Sequence, residues 1–202
     1  MRSSLPKIVA LALVSSVSAA AAQSKAKPDA ERQGTPAWLP RALYLGTFVY
    51  DAAITPQVRV QWEFGLFEQR NDMLGLVVEA GGGYGVAFPD NAGLYGEHRM
   101  TYFYQHAITA GISYRGRRYE HFRWGIDLTT GPCFYGARFA TAPTENRFTG
   151  IVDGRLRMGW DFGPVTLGGV LGYGSIYSKP LRSNAAEYTG GFWLGLFVDT
   201  WH

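Results

Sequence analysis

Few residue types in this chain can do chemistry, and their spacing restricts them further. There are four histidines, His98, His106, His121 and His202, and one cysteine, Cys133. A base and its nucleophile on a strand must lie two residues apart to share a face within hydrogen-bond reach. His98 is followed two on by Met100, His106 by Ile108 and His121 by Arg123, so the His and Ser pair two apart is absent. The histidines are too scattered to form a ligand pair. A lone cysteine makes neither an intramolecular disulfide nor a cysteine-based zinc site. No catalytic residue, metal or cofactor is therefore expected. Gly81-Gly82-Gly83-Tyr84-Gly85 would cradle a phosphate only at the N-terminus of a following helix, but Val86-Ala87-Phe88-Pro89 comes next. Close packing inside a strand is the better account of these glycines.

What remains is ionic. Arg59, Glu63, Glu79, His121, Arg123, Asp127, Asp153, Arg155, Arg157 and Asp161, with Asp199, fall on the polar parity of alternating stretches. Arginine suits such a set because its planar fork satisfies carboxylates two bonds at a time. The expected product is an ion-pair network. Arg115, Arg117 and Arg118 read instead as a solvated basic turn.

The elements that must position these groups are strands. After Arg41 no helical stripe is sustained, and period-2 alternation recurs to the C-terminus. Val58, Val60, Trp62, Phe64 and Leu66 alternate with Arg59, Gln61 and Glu63. Val152, Leu156, Met158, Trp160 and Phe162 oppose Asp153, Arg155, Arg157 and Asp161. Eight strands result; in the first, Ala42 to Tyr50, both parities are apolar and no facing can be assigned. Short turns are expected at Gln69–Asp72, Arg115–Arg118 and Gly163–Pro164. Longer loops are expected at Asp51–Pro56, Pro89–Arg99, Gly131–Phe148 and Ser178–Glu187. Proline removes a ladder donor, so the fifth strand should end near Thr130, leaving Pro132 and Cys133 in an irregular rim.

Composition decides which face is inside. The 202 residues include 26 glycines, and aromatics reach 15% against 17% charged. Beyond residue 41 the only lysine is Lys179, whereas a soluble exterior holds about 25–35% charged residues with many lysines. The polar parity is therefore the interior and the aromatic-aliphatic parity faces lipid. Tyr50, Trp62, Tyr84, Phe88, Tyr102, Tyr114, Trp124, Trp160, Tyr177 and Tyr188 would form two interfacial girdles. Residues 1–22 carry Arg2 and Lys7, a short apolar run and Ala19-Ala20-Ala21-Ala22, the pattern of a signal peptide. Its removal takes away two bases and no acids, so the formal charge of +3 is no argument for nucleic acid. Residues 23–41 read as a flexible periplasmic leader and 42–202 as the barrel domain.

This layout of signal peptide, eight alternating strands, short-turn and long-loop asymmetry and charged lumen resembles the eight-stranded outer-membrane barrels of the OmpA and OmpX type. The resemblance covers residues 42–202 and implies an all-β, antiparallel, up-and-down transmembrane β-barrel in the cell outer membrane. It implies outer-membrane lipid and, during insertion, the barrel-assembly machinery as partners, with a monomeric state. Members of that family usually end in a terminal aromatic; here Trp201 is penultimate and His202 last. No peptidoglycan-binding segment follows, so a tethering role is not carried over. The expected role is structural or mediated by surface loops, without catalysis. One rival is a lipid-modifying barrel enzyme: those resembling the lipid A deacylases carry His and Ser two apart with an acid nearby. The other is a secreted soluble barrel for an apolar ligand.

Overall fold

The structure, a computed structural model, describes residues 38–49, 53–69, 72–87, 100–177 and 190–200. The signal peptide, almost all of the leader, and Tyr50, Phe88, His98, Lys179, Tyr188, Trp201 and His202 lie outside the described residues. Eight strands follow one another: β1 Ala42–Val49, β2 Ala53–Gln69, β3 Asp72–Ala87, β4 Met100–Arg118, β5 Phe122–Phe139, β6 Glu145–Asp161, β7 Thr166–Ile176 and β8 Gly190–Asp199. Each pairs antiparallel with its neighbours in sequence, and β1 pairs β8 to close the barrel. No helix occurs among the described residues.

Every strand alternates between a buried and an exposed parity. Gln57, Arg59, Gln61 and Glu63 of β2 are buried, while Ile54, Val58 and Phe64 between and beyond them are exposed. The same holds for Asp127 against Ile126 and Leu128, and for Arg155 and Arg157 against Leu156 and Met158. The polar parity is inside. Closure leaves no strand edge, so backbone donors and acceptors are satisfied within the wall. In β1 the structure supplies the missing facing: Ala42, Tyr44 and Phe48 point inward and Leu45 outward.

Several sequence expectations about connections are corrected. Pro132 does not end β5, which runs on to Phe139, so the connection to β6 shrinks from 131–148 to residues 140–144. Likewise Pro56 lies within β2, and the link from β1 is residues 50–52. Both prolines are accommodated in the same way. Pro132 keeps its pairing with Gly150 of β6, while the ladder to β4 lapses between Ala107 and Ala110 and resumes in register. Pro56 keeps its pairing with Thr47 of β1, while the ladder to β3 lapses between Ile54 and Gln57. A missing N–H affects one neighbour only, and an outward ring blocks nothing inside.

The turn after β4 also shifts. It comprises residues 119–121, with Tyr119 at φ 61°, so Arg115 to Arg118 belong to the strand. The turn between β6 and β7 uses Gly163 at φ 93°, a conformation suited to glycine, and Asp161 Oδ1 accepts its N–H at 2.8 Å.

Inside, the barrel has two halves. Toward the long-loop end the interior is apolar: Phe48, Met100, Phe103, Cys133, Tyr135, Phe139, Ile151 and Ile176 form one buried cluster. Toward the short-turn end it is ionic. Cys133, expected in a rim, is a buried free thiol in the apolar half.

Candidate functional site

The ionic half is a single chain of alternating charge. Arg59 contacts Asp153 and bonds Glu79 at 3.0 Å. Glu79 in turn contacts Arg155, which lies 4.0 Å from Asp127. Asp127 accepts from Arg157 at 2.9 Å, and Arg157 lies 3.4 Å from Asp199. Asp199 accepts from Arg115 at 2.6 Å, and Arg115 contacts Glu63. These nine side chains come from β2, β3, β4, β5, β6 and β8, so the network ties the wall together across its diameter.

Neutral groups complete it. Tyr44 Oη donates to Gln61 Oε1 at 2.9 Å, and Ser113 Oγ accepts from Arg157 at 3.0 Å. Arg59 donates to Gln57 Oε1 at 3.1 Å, and Gln57 donates on to Gln105 at 3.2 Å. Arg59 also sits 4.6 Å from the Trp193 ring, and Arg155 sits 4.8 Å from that of Tyr44. Trp193 and Phe48, 6.1 Å apart edge to face, roof the charges where the apolar half begins.

Of the residues singled out by parity, Arg59, Glu63, Glu79, Asp127, Asp153, Arg155, Arg157 and Asp199 meet in this chain. Arg123 and Asp161 pair with each other near the short turns, apart from it. His121 does not join: its side chain lies in the exposed β4–β5 turn, 4.0 Å from Glu120. Arg115, read as part of a solvated turn, is 2% exposed and links two acids. One displacement accounts for both errors, because moving the turn to residues 119–121 brings Arg115 into the wall and puts His121 out of it. The usable signal was that Thr109, Ser113 and Arg115 share one parity. Tyr44 was missed for want of a facing in β1, and Trp193 although it shares parity with Asp199.

Side chains fill most of the lumen among the described residues. Beside Arg115, Arg157, Asp199 and Phe197 there is a cavity of about 10 Å³, room for one water. The described residues assemble no His–Ser pair. Ser113 is bonded in the lumen, Ser175 lies on β7, and His106 lies on the outer face of β4 between the rings of Tyr84 and Tyr104. Among the described residues no cluster of three potential metal-ligating side chains occurs.

The sequence matches no protein-family model and no curated protein. The fold does match solved structures. The outer membrane enzyme PagL aligns at 11% identity over 80% of this chain and 99% of its own, with a TM-score of 0.51. Neisserial surface protein A aligns at 9% identity over 79% of this chain and 94% of its own, with a TM-score of 0.53. The chain thus has the fold of the small eight-stranded outer-membrane barrels, in keeping with the architectural resemblance seen in the sequence. At these identities the likeness speaks for fold alone.

Proposed function

We propose that this chain is a small integral outer-membrane protein with a plugged lumen, acting structurally or through its surface loops and without catalysis. Export by the N-terminal signal, insertion by the barrel-assembly machinery, residence in outer-membrane lipid as a monomer and no engagement of nucleic acid belong to the same reading. One observation carries it: a largely apolar exterior surrounds a filled interior whose buried guanidiniums are paired with carboxylates. Leu76, Ile112, Ile126, Leu128, Leu171 and Leu194 are each between 45% and 54% exposed, an arrangement that water would oppose and acyl chains favour. The secreted soluble rival requires the opposite facing, with an apolar ligand cavity inside. The ionic chain and the apolar cluster fill that space.

The test is fractionation followed by gel mobility. The protein should require detergent for extraction and should migrate differently before and after boiling. It should add no permeability to sugars when reconstituted in vesicles, and lipid A from cells with and without it should carry the same acyl chains. Recovery in the soluble fraction would overturn the membrane reading. A missing or added acyl chain would overturn the non-enzymatic one.

A further inference from the structure

The outer wall is not uniform around the barrel. Toward the long-loop end, strands β3 to β6 carry three neighbouring rows of outward positions. One row runs Val86, Tyr102, Arg138; the next Tyr84, Tyr104, Gly136, Asn146; the third Gly82, His106, Phe134, Phe148. The rings form a connected surface: Tyr84 stacks on Tyr102 at 5.8 Å and meets His106 edge-on at 5.1 Å, and Tyr104 lies 5.9 Å from Phe134.

The two glycines shape this surface. Tyr104 lies down across Gly136 to reach Asn146 Oδ1, and a methyl group on Gly136 would come within 2.6 Å of its ring. His106 lies across Gly82, where a methyl group would come within 3.0 Å of Cγ. Without a Cβ beneath them, both rings settle closely against the wall. Arg138, exposed on the outward parity opposite Tyr102, borders the platform with a guanidinium. Glu145, the nearest acid in sequence, lies on the inward parity and pairs with Arg147 at 3.3 Å. The opposite wall differs. The outward residues of β7, β8 and β1 are aliphatic, aromatic or small, with Tyr173 against Phe192 at 5.3 Å and no outward cation among the described residues.

We infer that the β3–β6 sector is a docking platform for the headgroup of a phosphorylated glycolipid. Flat ring faces accept the C–H faces of a sugar, the tyrosine hydroxyls, His106 and Asn146 bond its hydroxyls, and Arg138 takes the phosphate by its fork. A plain phospholipid has a phosphate but no sugar face, so it would use Arg138 alone. The inference rests on the membrane-protein reading above, and the experiment separates the two.

The experiment is native mass spectrometry of the detergent-solubilised full chain with a bis-phosphorylated glucosamine-disaccharide lipid, its dephosphorylated form and phosphatidylglycerol. The phosphorylated glycolipid should be retained in preference to the other two. Tyr84→Ala with His106→Ala should weaken both glycolipids about tenfold. Arg138→Gln should weaken only the phosphorylated one. Tyr173→Ala with Phe192→Ala on the opposite wall should change nothing. Equal retention of phosphatidylglycerol, or equal loss from both walls, would overturn the platform. The boiling-dependent gel shift of every variant reports folding: a normal shift with no glycolipid preference refutes the platform alone, whereas no shift in the unaltered protein refutes the membrane reading.

Discussion

The two halves of the interior solve the same packing problem with opposite chemistry. Toward the short turns, nine charged side chains alternate in sign through a volume nearly closed to water. Toward the long loops, aromatic and aliphatic side chains fill most of the space, with Glu145 and Arg147 paired at the partly exposed rim. The ionic half is specific and unforgiving: each guanidinium has a set partner, and removal of one strands a buried carboxylate. The apolar half is tolerant, because dispersion and area burial do not depend on register to the same degree. On the membrane reading proposed above, a narrow barrel gains its register from the first half and its fill from the second. That division is our reading of why Trp193 and Phe48 sit at the junction, each offering one face to Arg59.

The comparison breaks most completely when register is lost. Insertion of one alanine between Gly154 and Arg155 turns Arg155 and Arg157 toward lipid, at a cost of about 2–4 kcal/mol each at mid-depth. The expected outcome is no species that shifts on boiling, and a protein of normal mobility would show that register is not set here. Next in size is Arg155→Ala, which leaves Glu79 and Asp127 short of their shared partner. Breaking a buried pair costs about 3–5 kcal/mol, to be read from urea unfolding of the vesicle-inserted protein. In the apolar half Ile151→Val should cost only about 0.5–1.5 kcal/mol in the same titration. Smallest of all is Arg147→Ala, which removes a partly exposed pair with Glu145 and should cost less than about 1 kcal/mol, with that difference shrinking at high salt. A cost for Ile151→Val equal to that of Arg155→Ala would erase the distinction between the halves.

The two halves also differ in how far the sequence reveals them. The ionic half is readable because Arg59, Glu79, Asp127, Asp153, Arg155 and Arg157 break an apolar background every second residue, and charge cannot face lipid cheaply. The apolar half hides. In β1 both faces are apolar, and in β5 beyond Thr130 both are apolar or small up to the outward Arg138, so the period vanishes although the strand continues. Pro56 and Pro132 misdirect for a separate reason. A proline reads as a strand end, yet here each gives up its ladder on one side only and keeps the other. Arg115 and His121 exchange roles because a turn moved by a few residues, a shift that local propensity does not resolve when Arg115–Gly116–Arg117–Arg118 fits turn and strand alike. The platform on the outer wall was beyond reach, since it depends on which residues of four strands fall side by side.

The central claim is the facing of the wall, and nitroxide accessibility across one turn of alternation tests it directly. In a Cys133→Ser background, single cysteines at Leu128, Thr129 and Thr130 of β5 are spin-labelled and the protein is inserted in vesicles. The account predicts high collision with lipid-dissolved oxygen at 128 and 130, and low collision with both oxygen and an aqueous nickel chelate at 129. A label at 129 that meets oxygen freely while 128 and 130 meet the nickel chelate would contradict it.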